Sequence, residues 1–478
     1  MPEDRAIRRP IGRPIRVFAP GAYAYRNKGD ATLVLAFIAW LRTAFEDPEI
    51  TLTSFEPSDS MHYGVPVLEM ATRPMRPLKL AGHRIGGRVP GVRRLIPRLV
   101  HAYTTTVCRL LRGWASVYRS QPEIAARLAP PHILRLARAI DAADLVITIP
   151  GGFLLAPALA DDWWLFHLPT LELARALGKP VVLSPCSIGP FAGFHRAVAG
   201  RFLRGCERMY VREEWSRDYV LGLGVSPERV AYCPDLAFMF GDGDVESIEP
   251  IELPGVDSGE DRPLLGISVR WHSFPGADDP RAKRRLYMKA LADTADSIVE
   301  HHGARVVIVP QTLEDLKAGR ELYREISNRG DVVLLEDDLS PAELRRVYAR
   351  CRILLGTRMH ANILAMGVNT PVAAIAYQPK TTGIMAVMGL DDWVLSIDDV
   401  SELLARAHDL WIHADDVRAV LPGKVQALRA QASTAAQHLR ATTIGAGRLA
   451  DRPDMREVGN ESVPNTDQMS IVGRAEDS

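Results

Sequence analysis

The chain has 478 residues, with 58 Lys and Arg balanced by 58 Asp and Glu, and 47% of its residues are hydrophobic. This length indicates two or three domains with cores of their own, and the zero net charge argues against a dedicated nucleic-acid-binding protein. The five cysteines are scattered without a C-x-x-C pair. They argue against a disulfide framework or a thiolate zinc site and indicate a reducing compartment.

The N-terminal segment offers no export signal, because the arginines within residues 1–16 are not followed by an apolar core. The longest apolar run, 31–41, is far shorter than the roughly 20 residues that cross a bilayer. We therefore expect a cytoplasmic protein, either free or peripheral at the inner face of the membrane.

Short apolar runs that end at Gly, Pro or Asp alternate with segments of helical length. Apolar runs of this kind are typical of strands buried on both faces, and their alternation with helices predicts parallel sheets with right-handed crossovers. We predict an α/β fold with two doubly wound, Rossmann-like domains and an interdomain cleft. The predicted strands are 15–19, 51–55, 145–149, 181–184, 208–211, 264–269, 305–310, 332–335, 353–355, 372–376 and 394–397.

The predicted domains are an N-terminal one over 15–245 and a C-terminal one over 262–420. Between them, 241–263 lacks periodicity and predicts a linker. The polar segment 441–478 predicts a disordered tail. Ligands of open parallel sheets bind beyond the carboxyl ends of the strands, so we expect the site in the cleft.

A basic insertion over 71–138 carries fourteen Lys and Arg against one acid, Glu123. Within it, 95–121 predicts an amphipathic helix. Its apolar stripe consists of Leu99, Val100, Tyr103, Val107, Leu110, Leu111, Trp114 and Val117. One interpretation is a helix that covers the N-terminal sheet. The other is a docking surface for anionic lipid or for a polyanionic acceptor.

The strongest motif is Leu-Gly-Thr-Arg-Met-His, in which Leu355 ends a strand, Gly356 turns the chain and a helix begins near Met359. Arg358 and His360 then lie at a helix N-terminus, where backbone N–H groups and the helix dipole favour an anion. An Arg adds a bidentate fork for phosphate or carboxylate, and a His can exchange a proton near neutral pH. The alternative is an Arg that pairs at a sheet edge and a His that only packs; the context favours function.

Two glycine motifs follow strands of the N-terminal half. The loop around Gly29 and Asp30 lacks both G-x-G-x-x-G and a Walker A pattern, which argues against a dinucleotide or P-loop site. Gly29 allows a ligand to approach the backbone, and Asp30 is placed as a helix N-cap, which alone could explain it. Gly151 and Gly152 predict a tight turn whose amides face the cleft.

Three further cations, Arg270, Arg212 and Lys380, follow predicted strands and are expected on the cleft side. Their convergence in a chain of zero net charge indicates a small anion with several charges. Asp235 ends the first domain as either a hinge cap or a cleft residue.

Together these motifs resemble the polysaccharide pyruvyltransferase family over roughly 15–400, apart from the basic insertion. The specific part of the resemblance runs from Arg358 and His360 to Tyr377-Gln378-Pro379-Lys380. It implies a fold similar to the B-type glycosyltransferases. One departure is Ala31, where the family usually has Glu after Gly-Asp, which puts acceptor choice or activity in question.

The resemblance implies transfer of a pyruvyl group from phosphoenolpyruvate to two hydroxyls of a cell-surface polysaccharide or its precursor, free or lipid-linked, giving a cyclic ketal. His360 would then perform the main proton transfer, and Arg358 would stabilise the donor and the departing phosphate. The predicted substrate-binding residues are Arg270, Arg212, Lys380, Gly29, Asp30, Gly151 and Gly152. Phosphoenolpyruvate serves as donor, and no metal, nucleotide or other cofactor is expected.

Two other functions stay open at this stage. A nucleotide-sugar glycosyltransferase would share the two lobes, but such enzymes commonly grip ribose with a Glu about five residues before the Gly of the C-terminal helix. Counting back from Gly367 gives Asn362. A non-catalytic anion- or sugar-binding protein is the second alternative, suggested by Ala31.

Overall fold

The computed structural model describes residues 14–72, 90–241, 251–253 and 262–445. Within these ranges the strands form two sheets, and every pairing between them is parallel. The N-terminal strands are β1 Arg16–Ala22, β2 Glu49–Ser54, β3 Val67–Glu69, β4 Leu145–Ile147, β5 Gly151–Ala156, β6 Val181–Phe191, β7 Arg208–Val211 and β8 Val230–Tyr232. The C-terminal strands are β9 Leu264–Ser268, β10 Arg305–Ile308, β11 Val332–Leu334, β12 Cys351–Gly356, β13 Val372–Ala376 and β14 Val394–Ser396.

Both sheets are doubly wound. The first has the order β3-β2-β1-β4-β6-β7-β8 with β5 added beside β6, and the second has the order β11-β10-β9-β12-β13-β14. The strand order reverses beside β1 in one sheet and beside β9 in the other, and a ligand crevice forms at such a switch point. The predicted fold of two doubly wound domains is therefore confirmed.

Helices cover both sheets. In the N-terminal half they are α1 Lys28–Ala44, α2 Ser60–Tyr63, α3 Pro90–Ser120, α4 Pro122–Leu128, α5 Pro131–Ala142, α6 Leu168–Ala176, α7 Phe194–Arg204 and α8 Glu214–Leu221. The C-terminal half adds α9 Pro280–His302, α10 Leu313–Glu325, α11 Pro341–Ala349, α12 Met359–Met366, α13 Pro379–Val387, α14 Leu403–Ile412 and α15 Ala414–Gly445. None of the described helices is long and apolar enough to cross a membrane.

All eleven predicted strands are present, but β3, β5 and β8 were not predicted. β3 and β8 lie at the two edges of their sheet and are only half-buried, so they lack a continuous apolar run. β5 begins with the glycine pair for which the sequence predicted a turn.

The two lobes meet through α1. Its Leu33 is buried in the hydrophobic core of the C-terminal lobe. The Lys28 backbone N–H donates to the Gln311 carbonyl at 3.3 Å. These contacts place the start of α1 opposite the carboxyl ends of the C-terminal strands.

α15 passes beyond the predicted domain end at 420 and returns to the N-terminal lobe. The Trp40 indole donates to the Ala432 carbonyl at 2.8 Å, and Ala436 and Leu439 are buried in the core around α1. The helix also includes 441–445, the first residues of the predicted tail. The remainder of that tail, 446–478, and most of the predicted linker, 242–250 and 254–261, lie outside the described residues.

The basic insertion folds mainly as α3, which packs on α6 and covers the sheet through it. Val100, Cys108, Leu111 and Ala115 are buried in the core on that side. Leu99 and Leu110, which the interpretation of a covering helix would bury, are instead 57% and 68% exposed. That interpretation is wrong for these two residues because the buried face of α3 is centred on Val100, Cys108 and Leu111. Residues 73–89 of the insertion lie outside the described part of the chain.

Candidate active site

The site lies at the carboxyl ends of β9, β10, β12 and β13, facing the start of α1 across the cleft. Arg270 follows β9, Asp315 lies in α10 after β10, and Arg358 follows β12. Because β9 and β12 are neighbours at the switch point of their sheet, side chains beyond their ends are brought together.

Arg358 is held by a two-point ion pair. Its Nε donates to Asp315 Oδ2 at 2.8 Å and its Nη2 to Asp315 Oδ1 at 2.7 Å, while Nη2 also donates to Thr312 Oγ1 at 3.3 Å. Asp315 is fully buried. Burial alone would lower the pKa of Arg358, but Asp315 outweighs it and raises that pKa. The two-point hydrogen bonding that the sequence predicted for a substrate is therefore made to Asp315 within the protein. This leaves Nη1 of Arg358 for an anion.

His360 faces the N-terminal lobe across Gly29. A Cβ added at Gly29 would lie 2.6 Å from His360 Nδ1 and 2.9 Å from its Cβ. The buried Nε2 of His360 has no hydrogen-bond partner among the described residues. Burial is the main reason that the pKa of His360 falls to about 3. Three cations add to this shift and Asp235 opposes it; the cations are Lys380, Arg212 and Arg358.

Burial and the nearby cations therefore favour the neutral imidazole, whereas the sequence predicted proton exchange near neutrality. The physical reason is the combination of burial and nearby positive charge, neither of which is visible in an Arg-x-His motif. A bound anion would offset those charges and raise the pKa.

Arg270 lies over the ring of Tyr377, with its guanidinium carbon 4.1 Å from the ring centroid. Its buried Nε has no partner in the described part of the chain. Burial, and then the charge of Arg358, lower the pKa of Arg270. A cation that is desolvated, repelled by a second cation and left with an unused N–H group is well suited to an anionic ligand.

Lys380 lies in the first turn of α13, at the positive end of the helix dipole, which favours an anion. The neighbouring Thr381 hydroxyl is buried and has no partner among the residues described. A lysine, a hydroxyl and a helix N-terminus therefore lie together on the C-terminal side of the cleft.

Asp30 lies in the first turn of α1, and it is not the N-cap that the sequence predicted. Asn27 occupies the cap position, and its side-chain amide donates to Asp30 Oδ2 at 2.5 Å. Burial raises the pKa of Asp30 despite several nearby cations. Those cations are Lys380, Arg358, Arg212 and Arg270. Asp30 is the carboxylate around which the predicted substrate-binding cations gather.

Arg212 differs from the substrate clamp that the sequence predicted, because it is buried among carboxylates. It pairs with Asp235 through Nη1 and with Glu213 through Nε at 3.1 Å, and Nε also donates to Ser187 Oγ at 2.8 Å. Asp235 also accepts from the Ala237 N–H at 2.9 Å and caps the short helix that follows. Burial raises the pKa of Asp235, but Arg212, His360 and this N–H more than offset it, so the pKa is lowered. Asp235 is thus both a helix cap and a neighbour of the site.

The predicted turn at Gly151 and Gly152 is the start of β5. Gly151 has φ +133°, and a Cβ there would overlap the Tyr23 hydroxyl. Gly152 lies beside Arg212, because a Cβ added at Gly152 would be 3.7 Å from Arg212 Nη2. The glycine pair therefore brings Tyr23 and Arg212 close to the backbone of β5.

Sequence reasoning did not single out Asp315, Thr312 and Tyr23. The signal available for Asp315 was its position: Thr312 caps α10 by accepting from the Asp315 N–H at 3.2 Å, directly after the strand β10. Polar residues directly after a parallel strand lie at the ligand edge of a sheet. The described residues contain no cluster of His, Cys, Asp or Glu suited to a metal ion.

Taken together, the fold and the site define a two-lobed parallel α/β protein whose interlobe cleft carries cations, an imidazole and a carboxylate. The model of the polysaccharide pyruvyl transferase family matches residues 27–379, and the chain belongs to this family. The amylovoran biosynthesis protein AmsJ of Erwinia amylovora is 22% identical over 406 residues, which cover 81% of this chain and 89% of AmsJ.

Solved structures of the same two-lobed fold are similar over most of the chain. A putative UDP-N-acetylglucosamine 2-epimerase from Listeria monocytogenes matches with a TM-score of 0.55 and 14% identity, covering 93% of this chain and all of that one. Anabaena Alr3699/HepE in complex with UDP-glucose matches with a TM-score of 0.51 and 13% identity, covering 90% and 100%. The architecture is thus that of the B-type glycosyltransferases and related epimerases, as expected from the sequence.

Proposed function

We propose that this protein transfers the pyruvyl group of phosphoenolpyruvate to two hydroxyls of a cell-surface polysaccharide or its precursor, forming a cyclic ketal. The observation that carries the proposal is the arrangement around Asp30 and His360. Arg270, Arg358 and Lys380 of the C-terminal lobe lie near Asp30, and Arg358 and Lys380 also lie near His360. A donor with a phosphate and a carboxylate would neutralise this excess of positive charge.

Phosphoenolpyruvate has two charged ends, and each can be matched to a set of hydrogen-bond donors in the C-terminal lobe. We assign the phosphate to the N-terminus of α13, where Lys380 and the Thr381 hydroxyl lie. The carboxylate is assigned to Arg270 and to Nη1 of Arg358. Arg270 is held by the face of Tyr377, and Arg358 is fixed in orientation by Asp315. Both clamps are therefore positioned before the donor binds, which reduces the ordering required on binding.

The reaction requires one proton on the donor methylene and the loss of one proton from each acceptor hydroxyl. The methylene becomes the methyl group as the first hydroxyl oxygen bonds to the central carbon. The C–O bond to phosphate then breaks, and the second hydroxyl closes the ring. One of the two hydroxyl protons balances the proton given to the methyl group, and the other leaves on hydrogen phosphate.

His360 is the proposed donor of the methylene proton, and Asp30 is the proposed acceptor of a hydroxyl proton. The negative charge of the bound donor would raise the pKa of His360 from about 3. Asp30 comes from the opposite lobe, and burial already raises its pKa toward a useful base. Burial favours the neutral form of both groups, so it is the charge of the bound donor that would make His360 an acid.

The structure weakens the glycosyltransferase alternative. Asn362, which lies where a glycosyltransferase would place a ribose-binding Glu, donates from its side-chain amide to the Gly356 carbonyl at 3.1 Å and is buried. Ala31 is fully buried in the core around α1.

Incubation with phosphoenolpyruvate and extracted cell-envelope glycan precursors tests the proposal. Mass analysis should show the addition of one pyruvyl ketal, with one phosphate released for each ketal formed. Thermal-shift titration should show stabilisation by phosphoenolpyruvate and none by UDP- or GDP-sugars. The His360→Ala variant should turn over roughly 10²–10⁴-fold more slowly with nearly unchanged donor binding. Stabilisation by a nucleotide sugar alone would contradict the proposal.

A further inference from the structure

The outer face of α3 carries a row of arginines beside a row of leucines. Side chains on a helix are turned by about 100° per residue, so Arg98, Arg109 and Arg119 fall on one side of this face. Leu99 and Leu110 fall on the other side and are 57% and 68% exposed. The opposite face of the same helix is buried in the core, so the orientation of both rows is fixed by packing.

The short helix α4 extends this surface. The Trp114 indole donates to the Ala125 carbonyl at 3.0 Å, which holds α4 against α3. Ile124 and Leu128 on α4 are 48% and 68% exposed, and Arg127 between them is exposed as well. We call the exposed side chains of both helices the docking face; they are Arg98, Leu99, Arg109, Leu110, Arg119, Ile124, Arg127 and Leu128.

The charge of the docking face is not balanced within the lobe. Between 90 and 138 the chain has nine arginines and one acid, Glu123. Arg112 pairs with Glu172 at 3.4 Å. Arg98, Arg109 and Arg119 have no carboxylate partner among the described residues. A rigid surface with several free guanidinium groups is complementary to a surface of negative charge.

We propose that the docking face binds the protein to an anionic lipid bilayer at the level of the headgroups. The exposed leucines and isoleucine decide between this partner and a soluble polyanion, because burial of apolar side chains favours binding to a bilayer and adds nothing to a polysaccharide chain in water. α3 is 31 residues long, about 46 Å at 1.5 Å per residue. It therefore offers an extended contact that lies on the bilayer surface. This inference does not depend on the proposed chemistry.

Vesicle binding of the full chain, measured without any substrate, tests the proposal. The protein should bind vesicles that contain phosphatidylglycerol and not vesicles of phosphatidylcholine alone. The triple variant Arg98→Gln/Arg109→Gln/Arg119→Gln should lower the partition coefficient on the order of a hundredfold. Each of the three arginines is expected to contribute a similar factor to binding at an anionic surface. The double variant Leu99→Gln/Leu110→Gln should also lower the partition coefficient, by roughly tenfold or more, because the two leucines would no longer bury apolar area in the bilayer.

Matched control variants exist elsewhere on the surface. Leu286 and Leu313 are 60% and 70% exposed on the C-terminal lobe, so Leu286→Gln/Leu313→Gln should leave binding unchanged. The exposed cations Arg201, Arg217 and Lys317 provide the charge control. Circular-dichroism melting shows whether each variant is folded.

Two results would overturn the proposal. One is vesicle binding by the triple arginine variant equal to that of the unmodified protein, or no binding by either. The other is binding to a soluble polyanion such as dextran sulfate that equals vesicle binding and is insensitive to Leu99→Gln/Leu110→Gln. That second result would assign the face to an anionic polymer instead.

Discussion

Asp315 holds the guanidinium of Arg358 by both of its carboxylate oxygens, at 2.8 and 2.7 Å. The two residues follow different strands, β10 and β12, which lie on either side of β9. The pair therefore fixes the spacing of two strand ends as well as the orientation of the arginine. It leaves one edge of the guanidinium toward the cleft, which is the edge that the proposed mechanism uses.

Asp315→Asn should destabilise the C-terminal lobe. The change leaves the charge of Arg358, whose side chain is only 15% exposed, without a carboxylate. Removal of one partner of a buried pair costs about 3–5 kcal/mol. Urea unfolding followed by fluorescence measures the difference. Glu314→Gln is the matched control, because Glu314 is the exposed neighbour on the same helix and should change stability little. A difference within the error of that control would mean that Asp315 does not hold the lobe together.

Gly29→Ala should reduce turnover with little loss of donor binding. The added Cβ would lie 2.6 Å from His360 Nδ1, so the imidazole or the α1 loop must shift. A misplacement of about 1 Å costs on the order of a hundredfold in rate. Steady-state phosphate release gives kcat, and thermal shift gives donor affinity. Gly330→Ala is the control, since a Cβ there meets no atom within 4 Å. An unchanged kcat in Gly29→Ala would show that the reaction does not depend on the position of His360.

The fold could be predicted from the sequence because buried parallel strands are continuous apolar runs, and such runs can be recognised without knowledge of their partners in the sheet. The half-buried edge strands β3 and β8 have no such signal. The glycine pair of β5 has the local signature of a turn, and only pairing with β6 makes it a strand.

The site could be predicted in part. Position after a strand indicated Arg270, Arg358 and Lys380, and these residues do lie near one another. The partners of each arginine could not be predicted, because they come from other strands through the topology: Asp315 for Arg358, and Asp235 for Arg212. Whether an arginine is available to substrate depends on those partners and not on its own motif.

Acid should destabilise the folded protein partly through His360. The pKa of His360 is about 3 in the folded state, against 6.5 in its ordinary environment. Between these two pKa values, His360 is protonated in the unfolded chain and neutral in the folded chain. The contribution of His360 to stability is therefore fully present above pH 6.5 and is lost as the pH falls toward 3. His360→Gln should show a shallower fall of the free energy of unfolding between pH 7 and pH 4. Parallel curves for the two proteins would show that His360 is not held neutral by the fold.

Donor binding should take up a proton at His360. Phosphoenolpyruvate offsets the charge of the cations that hold the imidazole neutral, so its pKa rises toward the working pH. Calorimetric titration in two buffers of different ionisation enthalpy measures the protons taken up. The unmodified protein should take up a fraction of a proton near pH 7, and His360→Gln should take up less. Equal uptake by both proteins would place the proton on another group, with Asp30→Asn as the next variant to measure.

Arg270→Met should weaken donor binding and at the same time stabilise the protein. Burial and the charge of Arg358 lower the pKa of Arg270, and its buried Nε has no partner among the described residues. Its charge is therefore unfavourable unless an anion is bound, and methionine retains contact with the ring of Tyr377. Charge-assisted hydrogen bonds contribute about 1.5–3 kcal/mol each, so the dissociation constant of phosphoenolpyruvate should rise roughly tenfold to a hundredfold. Urea unfolding and thermal-shift titration measure the two effects, with the exposed Arg281→Met as control. A variant that is less stable and still binds the donor normally would show that Arg270 supports the fold and does not contact the donor. The opposite signs of the two effects are what distinguish a residue placed for an anion from one placed for packing.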